Sequence, residues 1–474
     1  MAGANVSMVK QHFLDSFLNP KSIAIVGAST NPKKMSYYMV DNLVKFGFPG
    51  KIYPVNPAVS EVLGIKAYPS LKHIKDDIDL VASAVPVHMT LDIIKECAEK
   101  RVKGVIIISG GFSEAGEEGA RMQHEIAHIL KQNGIRAMGP NSLGPVNTSN
   151  NFLVSFQSVG KLNRGGVSFI FQSGFYELRI NWILSDFHLG VSKVLDLGNK
   201  MDINEVDALE YLAEDPDTKA IAIHLETVKG DGRKFGQLLR NTSKNKPIIV
   251  FKSGCTAAGA KAAGSHTGSI AKENDIVFDA LLKQAGVLRA HSIEDLFDFA
   301  KAFEFLTPPG GNRIAVATIS GGEGVISTDI CQKNGFVMAE PSQRALNKLR
   351  VIFPPWDIPA NPFDYGPCQY AHQLGKIYRV FLQAMLYDDN VDCLAVQLPV
   401  FGFYQDSEDL YEPFLLAKEQ KKPIAVWRTG LSRRGDVLVE RLESNRIPVY
   451  PSAERAIKSL SAICEYATMH EEDI

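Results

Sequence analysis

Short apolar runs recur along this chain, many of them closed by Gly, Pro, Ser or Asn and followed by a longer segment with apolar residues every third or fourth position. Ser22-Ile-Ala-Ile-Val26, Ile52-Tyr-Pro-Val55, Leu80–Val85, Gly104–Ser109 and Arg136–Met138 read as strands. Runs this short and continuous fit strands covered on both faces. Between them lie helical patterns: Met39, Val40, Leu43 and Val44 on one face with Gly47 as the stop, then Thr90–Lys100 and Arg121–Gln132. Strict alternation of strand and helix predicts an α/β fold with a doubly wound parallel sheet.

A polar connector, Asn147–Gly160, leads into a second such series. Its strands are expected at Gly166–Phe171, Ser192–Leu197, Ala220–Leu225 and Pro247–Phe251. Its helices are expected after Gln172-Ser-Gly174, near Glu205–Leu212, Arg233–Leu239, Asn274–Gln284 and Ser292–Phe303. Thr307-Pro-Pro-Gly-Gly311 is the clearest linker. Beyond it, Arg313–Ile319, Cys393–Leu398 and Pro423–Trp427 continue the pattern. The second and third series both open with strand, Ser-Gly and helix, a weak structural repeat. The expected division is 1–147, 148–307 and 308–474.

Chemistry gathers where strands end. The first turn, Gly27-Ala-Ser-Thr-Asn-Pro32, is not G-x-G-x-x-G, and Asn56 stands where a ribose-gripping acid would close the second strand. Both argue against a nicotinamide-dependent oxidoreductase. The turn can still set phosphates at a helix N-terminus, with Lys33 and Lys34 nearby. Val85-Pro-Val-His88, Ser109-Gly-Gly-Phe-Ser113 and Gly139-Pro-Asn-Ser-Leu-Gly144 fall on the same carboxyl edge and suggest a long groove for a nucleotide-bearing ligand; purely structural turns are the competing reading. After Pro247–Phe251 comes Lys252-Ser-Gly-Cys-Thr-Ala-Ala-Gly-Ala-Lys-Ala-Ala-Gly-Ser-His-Thr-Gly-Ser269. Small residues flank His266 and let amides and ligands approach its ring. We read His266 as a nucleophile that carries a phosphoryl group, against a solvated loop with an inert histidine.

At 474 residues the chain holds about three domains at ~150 residues each. With 51 Lys+Arg against 53 Asp+Glu and no basic block, neither nucleic acid nor a membrane surface is an expected partner. The six cysteines are scattered without a C-x-x-C pair, which fits reduced thiols rather than a disulfide framework or zinc site. No signal peptide or membrane-length apolar run is seen, so the expected compartment is the cytoplasm.

Gly264-Ser-His-Thr-Gly-Ser269, Leu197-Gly-Asn-Lys200, Gln172-Ser-Gly174, Gly139-Pro-Asn141, Lys252-Ser-Gly254 and Asn361-Pro-Phe-Asp364, together and spread over nearly the whole chain, carry a resemblance. The chain resembles the α subunit of NDP-forming (ADP-forming) acyl-CoA synthetases in the succinyl-CoA ligase superfamily. That implies three consecutive doubly wound domains: a Rossmann-like CoA-binding domain, then two flavodoxin-like ligase domains. It implies CoA along Gly27, Ser29, Lys34, Pro86, Ser109 and Asn141. It implies His266 as the phosphorylated histidine and Glu226 as the carboxylate that orients its ring and stabilises its cationic state. The helices after Gln172, Ser173 and Gly174 and after Ser320, Gly321 and Gly322 would offer their N-termini to the phosphoryl group.

The implied reaction joins a carboxylic acid to CoA with ATP, reversibly, through an acyl phosphate and phospho-His266. No ATP-grasp domain is found in the sequence, so ATP/ADP with Mg²⁺ would bind a separate ATP-grasp β subunit in a hetero-oligomer, α2β2. Where the family has small residues after Gln172-Ser-Gly174, this chain has Phe175 and Tyr176. They suggest a larger or aromatic acyl pocket. Phe171 replaces a serine, and Glu323 places a carboxylate where an anion would bind. Those departures leave a CoA-binding sensor or scaffold with impaired turnover as the rival reading.

Overall fold

A computed structural model describes residues 12–172, 187–261, 275–357, 359–400, 407–419, 422–430 and 433–470. Ser173, Gly174, Phe175, Tyr176 and His266, all singled out above, lie outside the described residues, as does the helix expected after Gly174. The chain forms two units, Met1–Ala285 and Gly286–Ile474.

The first unit begins with a five-stranded sheet: β1 (Ser22–Val26), β2 (Lys51–Val55), β3 (Leu80–Ser83), β4 (Gly104–Ile107) and β5 (Arg136–Met138). Its order is β2-β1-β3-β4-β5, parallel throughout, so the winding reverses between β1 and β3. β1, β3 and β4 are buried along their whole length, as continuous apolar runs require. The intervening helices are α1 (Met35–Lys45), α2 (Val87–Lys100) and α3 (Glu117–Gln132). In α1, Met39, Val40 and Leu43 are buried as expected, but Val44 lies one step further round the helix and is 43% exposed. α2 starts earlier than expected because Pro86 suits the position before a first helical turn.

The second sheet of this unit contains β6 (Gly144–Asn147), β7 (Phe152–Leu153), β8 (Arg164–Phe171), β9 (Val191–Asp196), β10 (Ala220–Leu225) and β11 (Ile248–Lys252), running β11-β10-β8-β9-β6-β7. β8 to β11 are mutually parallel, while β6 and β7 pair antiparallel. The stretch expected to be a polar connector is therefore partly sheet. Its asparagines are spent inside the fold: the Asn147 amide donates to Leu18 O at 3.1 Å, and that of Asn150 at 2.9 Å. α4 (Glu205–Glu214) opens with a reciprocal cap between Asn204 and Asp207, and α5 (Gly232–Ser243) is capped by Asp231.

The second unit repeats the plan. Its sheet comprises β12 (Arg313–Thr318), β13 (Val337–Met338), β14 (Phe363–Asp364), β15 (Cys393–Pro399), β16 (Ile424–Thr429) and β17 (Val449–Tyr450). The order is β13-β12-β15-β16-β17, with β14 beside β12, all parallel. A helix, α6 (Gly321–Lys333), follows β12 directly. One face of the sheet is sealed by Tyr365, Tyr378 and Phe381, whose rings meet edge to face. Among the described residues, no helix is long and apolar enough to cross a membrane.

Candidate active site

The carboxyl edge of the first sheet is lined with backbone turned sharply by small residues. Gly27 follows β1 with φ +89°, and a Cβ there would lie 2.7 Å from Ala84 O beyond β3. Only glycine permits both the angle and the approach. Ser29 is buried, and its Oγ accepts from Asn31 N at 3.0 Å. Asn56 donates to Ala28 O at 2.7 Å, so the residue in the acid's place braces the first turn. Lys34, exposed, stands immediately before α1, and Pro86 before α2. Asn141, at φ +57°, donates its N–H to Ser109 O at 3.1 Å. Thus Gly27, Pro86, Ser109 and Asn141 come from the ends of β1, β3, β4 and β5, along the edge where open α/β sheets bind ligands. Ser109 Oγ is buried with no hydrogen-bond partner among the described residues. A sheet edge of this kind, with an orphaned hydroxyl, fits an extended polar ligand such as CoA.

At the carboxyl edge of the second sheet a buried polar cluster forms around Gln172, just after β8. Gln172 Oε1 accepts from Glu226 N at 3.0 Å, Thr227 N at 3.1 Å and Lys200 Nζ at 2.8 Å. Its side-chain oxygen therefore faces the turn after β10, while Ser173 and Gly174, its expected partners in phosphate binding, lie outside the described residues. Lys200 Nζ also donates to Glu205 Oε2 at 2.8 Å and to Thr227 O at 2.5 Å. The Lys200 and Glu205 side chains are 1% and 0% exposed. Glu205 Oε1 accepts from Lys229 N and Gly230 N, both at 2.7 Å. Burial, reinforced by the Lys200 charge, pushes the Lys229 ammonium below its ordinary value.

Glu226, one residue beyond β10, is buried at 8% exposure although it stands at a strand end. On β10 itself, His224 Nε2 lies 3.1 Å from Ser253 Oγ, just past β11. Lys200, Glu205 and Thr227 were not expected as site residues. Lys200 belongs to the Leu197-Gly-Asn-Lys200 segment already singled out, but only as part of a pattern, and Glu205 read simply as a helix start.

The two edges meet. Asn199 N donates to Pro140 O at 2.8 Å, and Met201 N to Gly139 O at 2.9 Å. Asn199 Nδ2 donates to Glu114 Oε2 at 2.9 Å, and Glu114 Oε1 accepts from Gly111 N at 2.7 Å. Gly198, at φ +56°, brings its Cα so close that a Cβ would sit 2.3 Å from Pro140 O. Ser142 Oγ donates to Asp196 O at 2.6 Å, and Leu143 N to Asp196 Oδ2 at 3.2 Å. The Gly139–Asn141 and Leu197–Lys200 segments, far apart in sequence, thus form one seam.

In the second unit, Ser320 caps α6, its Oγ accepting from Glu323 N at 3.3 Å. Gly321 and Gly322 are exposed. Asp364 brings a second acid to this helix end: a Cβ on Gly321 would be 3.3 Å from Asp364 Oδ2. Asn361, from the Asn361–Asp364 segment, braces β12 by accepting from Val316 N at 2.9 Å and donating to Ile314 O at 2.9 Å.

A CoA-binding domain model matches residues 21–148, and a succinyl-CoA ligase-like flavodoxin domain model matches residues 164–303. The chain is 38% identical over 459 residues to the acetate–CoA ligase [ADP-forming] II subunit alpha of Pyrococcus furiosus, covering 96% of this chain and 98% of that one. It is 37% identical to acetate–CoA ligase [ADP-forming] II of Archaeoglobus fulgidus, covering 94% of this chain but 66% of that longer protein. A solved structure of the dinucleotide-forming acetyl-coenzyme A synthetase 1 of Ca. Korarchaeum cryptofilum, in complex with phosphate and ADP, superposes with a TM-score of 0.86 at 33% identity, covering 97% of each chain. With its Rossmann-like CoA-binding domain followed by a flavodoxin-like ligase domain, the chain belongs to the ADP-forming acid–CoA ligases and is of their α-subunit type.

Proposed function

We propose that this chain is the CoA-binding, phosphohistidine-carrying subunit of an acid–CoA ligase. An acyl-CoA is attacked by phosphate, giving an acyl phosphate and free CoA. His266 takes the phosphoryl group from the acyl phosphate, releasing the carboxylate, and passes it to ADP. The reverse sequence activates an acid with ATP. Splitting the transfer in two avoids bringing nucleotide and acyl group together. CoA runs along Gly27, Ser29, Lys34, Pro86, Ser109 and Asn141. Gln172, Ser173 and Gly174 offer amides to phosphate, and Ser320, Gly321 and Gly322 offer phosphate the N-terminus of α6. Phe175 and Tyr176 line the acyl pocket. ADP and Mg²⁺ bind an ATP-grasp β subunit in an α2β2 assembly, and the scattered cysteines fit a cytoplasmic setting.

The observation that carries this reading is Glu226. A carboxylate withdrawn from water, its own N–H held by Gln172, is suited to grip one ring nitrogen of a histidine and make the other more basic. The test is intact mass after incubation of the chain and its ATP-grasp partner with phosphate, Mg²⁺ and a panel of acyl-CoAs. An acid-labile gain of one phosphate, absent in His266→Ala and strongly reduced in Glu226→Gln, is expected. CoA binding without label from any acyl-CoA would refute it in favour of a CoA-binding sensor.

A further inference from the structure

We infer that Lys200 is a positioning residue for Glu226, acting through the side-chain amide of Gln172. This inference rests on the reading of Glu226 as the carboxylate that serves His266. Gln172 presents its oxygen, not its NH2, to Glu226 N and Thr227 N. A flipped amide would set its NH2 donors against two backbone donors. The Lys200 ammonium, 2.8 Å from the same oxygen, can accept nothing and so selects this orientation.

Lys200 also holds the turn directly through Thr227 O at 2.5 Å. Its counter-charge, Glu205, binds Lys229 N and Gly230 N at the far side of the same turn. The segment from Glu226 to Gly230 is thereby gripped at both ends by one buried cluster. The residues on either side of Lys200 are tied in turn to the seam, where Asn199 N meets Pro140 O, the Asn199 amide meets Glu114 and Met201 N meets Gly139 O. Lys200 thus acts on Glu226 through Gln172 and Thr227.

The experiment is a double-mutant cycle on the full chain with its ATP-grasp partner. Lys200→Met, Glu226→Gln and the double variant are compared for the rate of acid-labile phosphate gain from whichever acyl-CoA labels the wild type most, and for CoA affinity. Lys200→Met should slow labelling roughly ten- to hundredfold, the scale of a lost charge-assisted hydrogen bond. CoA affinity should be unchanged, which a general loosening of the fold would not leave intact. The double variant should label no more slowly than Glu226→Gln alone. Multiplying losses, or wild-type labelling by folded Lys200→Met, would overturn the inference. If Lys200→Met does not fold, Lys200→Gln, which removes the ammonium but keeps a polar side chain, carries the same comparison. If Glu226→Gln labels like the wild type, the functional reading fails first and takes this one with it.

Discussion

Gly198→Ala is the sharpest test of the seam between the two sheets of the first unit. Two costs add at this position. The residue sits at φ +56°, in the left-handed region, where a Cβ costs about 1–2 kcal/mol. The new methyl would also lie 2.3 Å from Pro140 O and 2.7 Å from Asn141 O, where ordinary contact begins at 3.4 Å. Pro140 O is held by Asn199 N, and the preceding Gly139 O by Met201 N, so the loops must part by roughly an ångström, an overpacking cost of about 1–3 kcal/mol. The sum is about 2–5 kcal/mol. Gly64→Ala isolates the first cost, since Gly64 has φ +79° and nothing within 4 Å of an added Cβ. It should lose only about 1–2 kcal/mol. Urea denaturation of both variants, followed by circular dichroism, gives the comparison. Because the displaced atoms belong to Pro140 and Asn141, CoA affinity should fall in Gly198→Ala and stay constant in Gly64→Ala. Equal destabilisation by the two substitutions would refute the claim that the close approach at the seam carries energy.

Lys193→Met should strand the Asp215 carboxylate, whose 2.8 Å ion pair has side chains only 2% and 6% exposed, at a cost of about 3–5 kcal/mol in urea denaturation. Lys51→Met, which breaks the exposed pair with Asp76, should leave the midpoint unchanged. In the second unit the Arg313 side chain, hydrogen-bonded to Asp392 at 2.8 Å, holds that carboxyl below its usual range. The folded value lies below the unfolded one, so the pair stabilises the unit above about pH 4 and that contribution is lost as pH falls through the folded value. Asp392→Asn should therefore lower stability at neutral pH and flatten the acid limb of an unfolding-versus-pH series; an unchanged acid limb would count against the pair.

The layered α/β plan was legible because parallel strands covered on both faces leave continuous apolar runs, as Ile23–Val26 and Ala220–Ile223 do. The Asn147–Gly160 stretch was misleading for a physical reason. Its polarity belongs to side chains such as Asn147 that hydrogen-bond inward, to Leu18 O, rather than to water. The site was legible where small residues mark strand ends, as at Gly27, Asn141 and Gly198. It was opaque where a charge is buried by contacts made across strands. Glu205, the counter-charge five residues beyond Lys200, read simply as a helix start, and nothing local to Lys200 says that its ammonium is buried against Gln172 and Thr227, since those contacts exist only once β8, β9 and β10 lie side by side. Val44 illustrates the smaller error, in which an apolar residue adjoining a buried face was counted as part of it.

The position of β6 has a practical corollary. The chain leaves β5 at Met138 and by Gly144 is already paired antiparallel with β9, with Val146 opposite Val194. A recombinant fragment ended after Asn147 would therefore contain one strand of a sheet whose remaining strands had been cut away. Its edge would be unpaired and would carry Val146, which is 1% exposed in the intact chain. Such edges recruit other chains, so this fragment should precipitate or oligomerise, whereas one ended at Ser142 should not.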